Sequence, residues 1–277
     1  MKLVDGKVAV ITGSGRGIGQ ATAKLFAEEG AIVVVNDLDA GPANDTVDMI
    51  KAAGGEAFAV PGSVTEPGFP EKLLAEAVAR YGRLDILVNC AGYTWDGVIH
   101  HMSDEQWQAM LDIHATAPFR LIRAAAPYMR EVAKQEIAQG KVNYRKIVNV
   151  SSVSGAYGNS GQINYAAGKA ALIGITKTVA AEWGRFNINC NAVALGMIET
   201  RLTQPKEQAK PVQIGEREVT LGVPQMMLQA VSMLVPMGRP GKPEEAAGAI
   251  LFLASPLANY VNGHILVVDG GMYRAGV

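Results

Sequence analysis

Cysteine is scarce: Cys90 and Cys190 are the two thiols in 277 residues, a hundred positions apart, and neither has a second cysteine or a histidine nearby at metal-ligand spacing. A disulfide framework and a structural zinc site are thereby excluded, and a reducing, cytoplasmic setting is the expectation. Charge of one sign is lacking too, because 25 lysines and arginines stand against 26 aspartates and glutamates. That balance argues against nucleic acid or an anionic membrane surface as partner. No stretch approaches the roughly 20 consecutive apolar residues that cross a bilayer. The opening MKLVDGKVAVITG shows no charged leader with a cleavage site. Internal repeats, low-complexity tracts and shifts of composition are absent as well. One domain spanning residues 1–277 is the expected organisation.

What the chain does have is a rhythm. Short β-branched runs at Lys7–Thr12, Ile32–Asn36, Glu56–Val60, Leu84–Val88, Lys146–Val150, Asn187–Val193 and Ile265–Val268 alternate with helical patterns such as Gly17–Glu29 and Gly68–Tyr81. Strands that are nearly continuous apolar runs, each followed by a helix, predict a parallel sheet of about seven strands with helices on both faces. The fold class expected is therefore α/β, doubly wound, of the Rossmann type. Two stretches break the rhythm. Glu131–Tyr144 lengthens one helix-to-strand passage and reads as a surface extension. The second, at about 200–240, carries Pro205, Pro211, Pro224, Pro236 and Pro240 around the methionine-rich MLQAVSML, which suits a lid over a substrate.

The first strand runs into TGSGRGIG, where Gly13, Ser14, Gly15, Arg16, Gly17, Ile18 and Gly19 open directly into a helix. Glycines at such a junction permit a tight turn and close backbone approach, while the helix N-terminus offers N–H donors to a pyrophosphate. Asp37 ends the second strand, eighteen residues past Gly19, near the spacing expected of a carboxylate that accepts ribose hydroxyls. A carboxylate there repels a 2′-phosphate, so NAD is favoured over NADP. Arg16 weighs the other way, since a guanidinium could meet that phosphate; solvated, it would merely cap the turn.

A second dense region, NVSSVSGAYGNSGQINYAAGKAALIG, places Tyr165 and Lys169 four residues apart, on one face if a helix has begun by then. A phenol titrates near 10, so acid–base work near neutrality needs a shift of roughly 2–3 units. An ammonium about 4 Å away supplies roughly 4 kcal/mol of that at an effective dielectric of ~20. Ser152, in the preceding loop, can donate to a carbonyl oxygen while Tyr165 provides its proton. Alternatively the serines are turn residues and Tyr165 and Lys169 an exposed pair.

Together these residues resemble the short-chain dehydrogenase/reductase family nearly end to end. TGSGRGIG is similar to its cofactor turn, Asn89–Gly92 (NCAG) to its fourth-strand motif, and Ser152, Tyr165 and Lys169 to its catalytic set. NAVALGMIET resembles the segment covering the nicotinamide, which implies contacts from Gly196, Ile198 and Thr200. The resemblance also implies cofactor contacts from Ser63, Val64, Asn89, Ala91, Gly92, Tyr165 and Lys169, and a homotetramer built through the long central helices. Within the family the likeness is strongest to 3-oxoacyl-[acyl-carrier-protein] reductases, implying an acyl carrier protein or coenzyme A thioester as substrate. A dehydrogenase of a free secondary alcohol, polyol or steroid is the alternative, as is a nucleotide-binding relative without catalysis.

Several positions depart from the pattern. His114 stands where the family has a fourth catalytic residue, an asparagine, and either relays protons with Lys169 or simply packs the helix. Ser63 replaces an adenine-binding aspartate, Leu195 a proline, and Cys90 an asparagine read here as a small buried side chain. His100 and His101 are expected in solvent, with no metal set around them, and Glu244 and Glu245 after Pro243 in the first turn of a helix.

Overall fold

The computed structural model describes residues 2–205, 212–214, 217–223 and 225–273. Its strands are β1 (Val8–Thr12), β2 (Ile32–Asn36), β3 (Glu56–Ala59), β4 (Ile86–Asn89), β5 (Arg145–Ser152), β6 (Ile188–Leu195), the short pair β7 (Val212–Ile214) and β8 (Arg217–Val219), and β9 (Ile265–Val268). Its α-helices are α1 (Gly17–Glu28), α2 (Ala40–Ala52), α3 (Phe69–Tyr81), α4 (Asp104–Leu111), α5 (Ala117–Ala126), α6 (Val132–Ala138), α7 (Val153–Tyr157), α8 (Ile163–Trp183), α9 (Gln225–Leu234) and α10 (Pro243–Ala254). Seven strands form one parallel sheet in the order β3-β2-β1-β4-β5-β6-β9, while β7 and β8 pair antiparallel by themselves. The order reverses between β1 and β4, and open α/β sheets take ligands at the carboxyl ends of the strands beside such a reversal.

Alternation along each strand sorts the side chains into two cores. Ala9 and Ile11 face Phe26 of α1 and Ile250 of α10, whereas Val8 and Val10 face Leu73 of α3 and Leu121 of α5. Both faces are therefore dry, which is why the strands read as continuous apolar runs rather than alternating ones.

Several boundaries differ from the sequence-based expectation, three of them with a cause visible in the contacts. β5 runs on to Ser152 because Ser151 and Ser152 pair with Ala194 and Leu195 of β6. Strand β4 starts late, because Asp85 turns its carboxylate onto the Val8 N–H at 3.0 Å and onto Arg83 at 2.7 Å. In the third case the helix runs without interruption from Asp104 to Ala138 through two π-helical turns, Asp112–Thr116 and Pro127–Glu131. Each wide turn lies next to a proline, Pro118 or Pro127, which offers no N–H to the preceding carbonyls. The extension expected at Glu131–Tyr144 is thus half helix, and its end is fixed by a bidentate Arg145–Glu136 pair at 2.7 and 3.0 Å. Glu244 and Glu245 do occupy the first turn of α10, where Glu245 accepts from the Lys242 N–H at 2.8 Å and binds Arg239.

Of the segment at about 200–240, residues 206–211, 215–216 and 224, with Pro211 and Pro224, lie outside the described residues. Leu202, Thr203, Gln213, Val223 and Leu234 from the described part line the cleft at the carboxyl end of the sheet.

Candidate active site

The cleft encloses about 1110 Å³. One end is built by the turn between β1 and α1, where space is the constraint. A Cβ on Gly13, whose φ is 63°, would sit 2.7 Å from the Ala91 Cα, and one on Gly19 would sit 2.1 Å from the Gly13 carbonyl oxygen. Both contacts are with backbone, which cannot step aside. Gly19→Ala is accordingly expected to destabilise the protein by about 1–3 kcal/mol and to weaken dinucleotide binding. Thermal melting with and without NADH checks both effects.

Gly13, Arg16, Gly17, Ile18 and Gly19 face the cleft, as do Asp37, Ser63 and Val64. Ser14 and Gly15 do not. The Ser14 hydroxyl donates to the Ile11 carbonyl at 2.6 Å and accepts from the Asn36 N–H at 3.2 Å, stitching β1 to β2. Gly15 gives its N–H to Asp37 Oδ2 at 3.0 Å, so the turn itself holds that carboxylate in place. Arg16 pairs with Asp39 at 2.9 Å and approaches Asp37 to 3.9 Å, a partnership the sequence reading missed although Asp39 is two residues on. Arg201, also missed, lines the cleft in a 3₁₀ turn after Thr200. Burial lowers its pKa, the nearby Arg16 lowers it further, and Asp37 and Asp39 act against both. Ser63 Oγ lies 2.8 Å from the Thr65 hydroxyl.

Asn89 is turned away from the cleft. Its amide donates to Asn149 Oδ1 at 2.8 Å inside the sheet, while Ala91 and Gly92, next in the chain, line the opening. Cys90 lines it too, but burial pushes its thiol up to about 11, so it holds its proton at neutral pH. Gly196, Ile198 and Thr200 close the same side.

At the other end Ser152, Tyr165, Lys169 and His114 come together on one wall. Ser152 is the last residue of β5 rather than part of a loop, and it caps α7 by accepting from the Ser154 N–H at 3.1 Å. Helix α8 begins at Ile163, so Tyr165 and Lys169 do share a face. The ammonium donates to the Val150 carbonyl at 2.7 Å and lies 5.6 Å from the centroid of the Tyr165 ring. Burial pushes Tyr165 up to about 12, against the pull of a hydrogen bond with Ser152, and pushes Lys169 down to about 8. The downward shift anticipated for the phenol is thus absent from the protein alone. Desolvation outweighs a cation that stands beyond contact distance.

His114 sits in the first π-helical turn, buried between two glycines: a Cβ on Gly92 would come within 2.4 Å of its Cε1, and one on Gly168 within 2.8 Å of its Cβ. Its Nε2 lies 2.8 Å from the Tyr93 carbonyl, which can only accept, so Nε2 carries the proton. Nδ1 is then an acceptor, and it has no hydrogen-bond partner among the described residues. Burial, with the Lys169 charge behind it, holds the ring pKa well below 6.5. The imidazole is neutral, and it meets the Tyr165 ring edge-on with centroids 4.9 Å apart.

Sequence reasoning also missed the polar wall opposite. Gln162 donates to Asp96 Oδ2 at 3.0 Å and accepts from Ser154 Oγ at 3.1 Å, joining the loop after β4 to the start of α8. No local pattern marks such a pair 66 residues apart in the chain. His100 and His101 lie exposed on a 3₁₀ turn, and no group of metal-ligating side chains occurs among the described residues.

A family model described as enoyl-(acyl carrier protein) reductase matches residues 13–273. The 3-oxoacyl-[acyl-carrier-protein] reductase FabG of Thermotoga maritima is 38% identical over 97% of this chain and 98% of its own length. Its namesake in Vibrio cholerae is 39% identical over 98% of both chains. The (3R)-3-hydroxyacyl-CoA dehydrogenase of Canis lupus familiaris is 36% identical over 96% of both.

Proposed function

The chain belongs to the short-chain dehydrogenase/reductase family and is an oxidoreductase of the CH–OH/C=O couple; from that premise we propose that it interconverts a 3-oxoacyl thioester and its 3-hydroxy form with NAD(H). The observation that carries the reading is the convergence of Ser152, Tyr165 and Lys169 on one wall of the cleft whose far end holds the glycine turn and Asp37. A thioester as substrate rests on the names of the relatives, which are 3-oxoacyl reductases and a 3-hydroxyacyl dehydrogenase.

The turn at Gly13–Gly19, so crowded that a Cβ would collide with backbone at Gly13 and Gly19, fits a dinucleotide lying against the N-terminus of α1. When bound, the nicotinamide supplies or takes the hydride. The remaining steps belong to the protein. Ser152 donates a hydrogen bond to the substrate carbonyl, and Tyr165 delivers the proton to that oxygen as charge develops there. Lys169 supports the phenolate left behind, the proton that Tyr165 gives up is replaced from solvent, and the neutral His114 accepts at Nδ1 a hydrogen bond from the water that brings it. Leu202, Leu234 and their neighbours act as the lid.

Absorbance of NADH followed with a short 3-oxoacyl thioester, beside the matching 2-enoyl thioester, tests the proposal. Turnover of the ketone alone is expected. Reduction of the enoyl compound alone would overturn it.

Asp37, held by the Gly15 N–H, sets the preference for NADH, since a like charge against a 2′-phosphate costs roughly 3 kcal/mol. Asp37→Ser is expected to move the ratio of kcat/KM for NADPH over NADH up by about a hundredfold, Arg16 being released to meet the phosphate. Initial rates with both cofactors measure this. The continuous helix of α4, α5 and α6 exposes Trp107, Phe119, Val132 and Ile137, which suits burial in a homotetramer. Light scattering is expected to return four times the chain's 29.2 kDa. Among the described residues no helix is long and apolar enough to cross a membrane, and we place the protein in the cytoplasm.

A further inference from the structure

The C-terminal segment after β9 returns to the cleft, where Met272 and Tyr273 line it. Asp269 fixes it, accepting from the Gly271 N–H at 2.8 Å and the Tyr273 N–H at 2.7 Å through its two oxygens. Gly270 and Gly271 turn with φ of 65° and 83° and pack on Val235 and Pro236 just past α9, so tail and helix end form one junction. Out of that junction Leu234, Met272 and Tyr273 reach the cleft wall. Behind Tyr273 stands Tyr157, the last residue of α7, the single turn that Ser152 caps. The two rings are parallel within 5° with centroids 4.7 Å apart. Tyr157 does not line the cleft itself and is 46% exposed. Two aromatic rings so matched, from segments more than a hundred residues apart, give the tail a fixed face at modest entropic cost.

We infer that Tyr273, held flat by Tyr157, is the wall that limits the length of the acyl group admitted beside Ser152 and Tyr165, and that it selects short apolar acyl chains. Tyr273 is the specificity-determining residue and Tyr157 its positioning residue. The inference rests on the thioester reading above. It follows from the chemistry of the junction: Leu234, Met272 and the face of a tyrosine offer contact area without a charge, and a stacked ring backed by a second ring does not swing aside as a lone one would. The ring that backs the wall, Tyr157, closes the single turn of α7 that Ser152 caps, so the wall and Ser152 are tied to one short element.

The test compares kcat/KM for a butanoyl-length and an octanoyl-length 3-oxoacyl thioester, with NADH binding and melting temperature measured on each protein. Tyr273→Ala is expected to raise the ratio of long to short by about tenfold, the scale at which an apolar pocket discriminates added methylenes. Tyr157→Ala moves it the same way by about threefold, and adds nothing in the Tyr273→Ala background, because a positioning residue has nothing left to position. Tyr273→Phe keeps the stack and the wild-type ratio. A ratio unchanged in both alanine variants, or rates lost equally on both substrates, overturns the wall while leaving the thioester reading intact. A wild-type protein that binds NADH yet reduces neither thioester overturns the thioester reading, and the wall with it.

Discussion

Tyr165→Phe is expected to lower kcat for ketone reduction by about a thousandfold, the scale of a positioned general acid, while the dissociation constant for NADH stays within a factor of about two. The substitution is clean because the ring is held by contacts that phenylalanine keeps. The His114 imidazole meets it edge-on at 4.9 Å, and the Lys169 ammonium stands 5.6 Å from its centroid. Only the hydroxyl and its hydrogen bond with Ser152 are lost, and that hydroxyl is one that burial holds up to about 12. No charge is therefore removed at neutral pH from the protein alone, and the melting temperature is expected to hold. Steady-state rates and NADH fluorescence titration on the same preparation separate the two quantities. A variant keeping more than about a tenth of wild-type kcat would mean that Ser152, not Tyr165, delivers the proton.

The sequence displayed the residues of this site better than it displayed their states. Apolar runs such as IVVVN and ILVV form strands at the residues expected, since their composition alone marks them, whether buried in the middle of the sheet or half-buried at its edge. The glycine turn was legible because its steric demand is local: Gly19 is crowded by Gly13, six residues away. Asn89 was expected at the cofactor and instead binds Asn149, a side chain on the adjacent strand that no local spacing connects to it. The same limit hid the Gln162–Asp96 pair and the Tyr157–Tyr273 stack. Tyr165 and Lys169 were found by spacing, but the direction of the phenol's shift depends on how much protein surrounds the hydroxyl, a sum over tertiary neighbours. The two π-helical turns had a visible cause in Pro118 and Pro127, yet proline marks a broken helix as readily as a widened one.

Lys169→Met is expected to slow turnover severely and stabilise the protein at the same time. The catalytic loss follows from distance: an ammonium 5.6 Å from the ring contributes about 3 kcal/mol to a phenolate at an effective dielectric of ~20. Removing it is therefore expected to lower kcat by more than about a hundredfold. The gain in stability follows from the same burial. Lys169 falls from 10.5 to about 8 on folding, which at 1.36 kcal/mol per unit is a cost of about 3 kcal/mol to hold the charge inside. The Val150 carbonyl loses its donor in the variant, giving back about 1 kcal/mol. The net of about 2 kcal/mol predicts a melting temperature higher by roughly 4–8 °C at about pH 7. The pH dependence fixes the cause. Below about pH 8 both folded and unfolded lysine carry the proton, and the wild type bears the whole penalty. Between about 8 and 10.5 the unfolded chain holds a proton that the folded one has released, so wild-type stability rises with pH and the advantage of the variant shrinks. Lys146, also pushed down to about 8, is common to both proteins and drops out of the difference. Tyr165 acts with the opposite sign, but only from its ordinary 10 up to about 12, above the window compared. Thermal melts of both proteins without ligand, at about pH 7 and again near pH 10, measure the difference twice. A gap that stayed constant across that range would show that Lys169 is not a charge buried at a cost, and that methionine stabilises by packing alone.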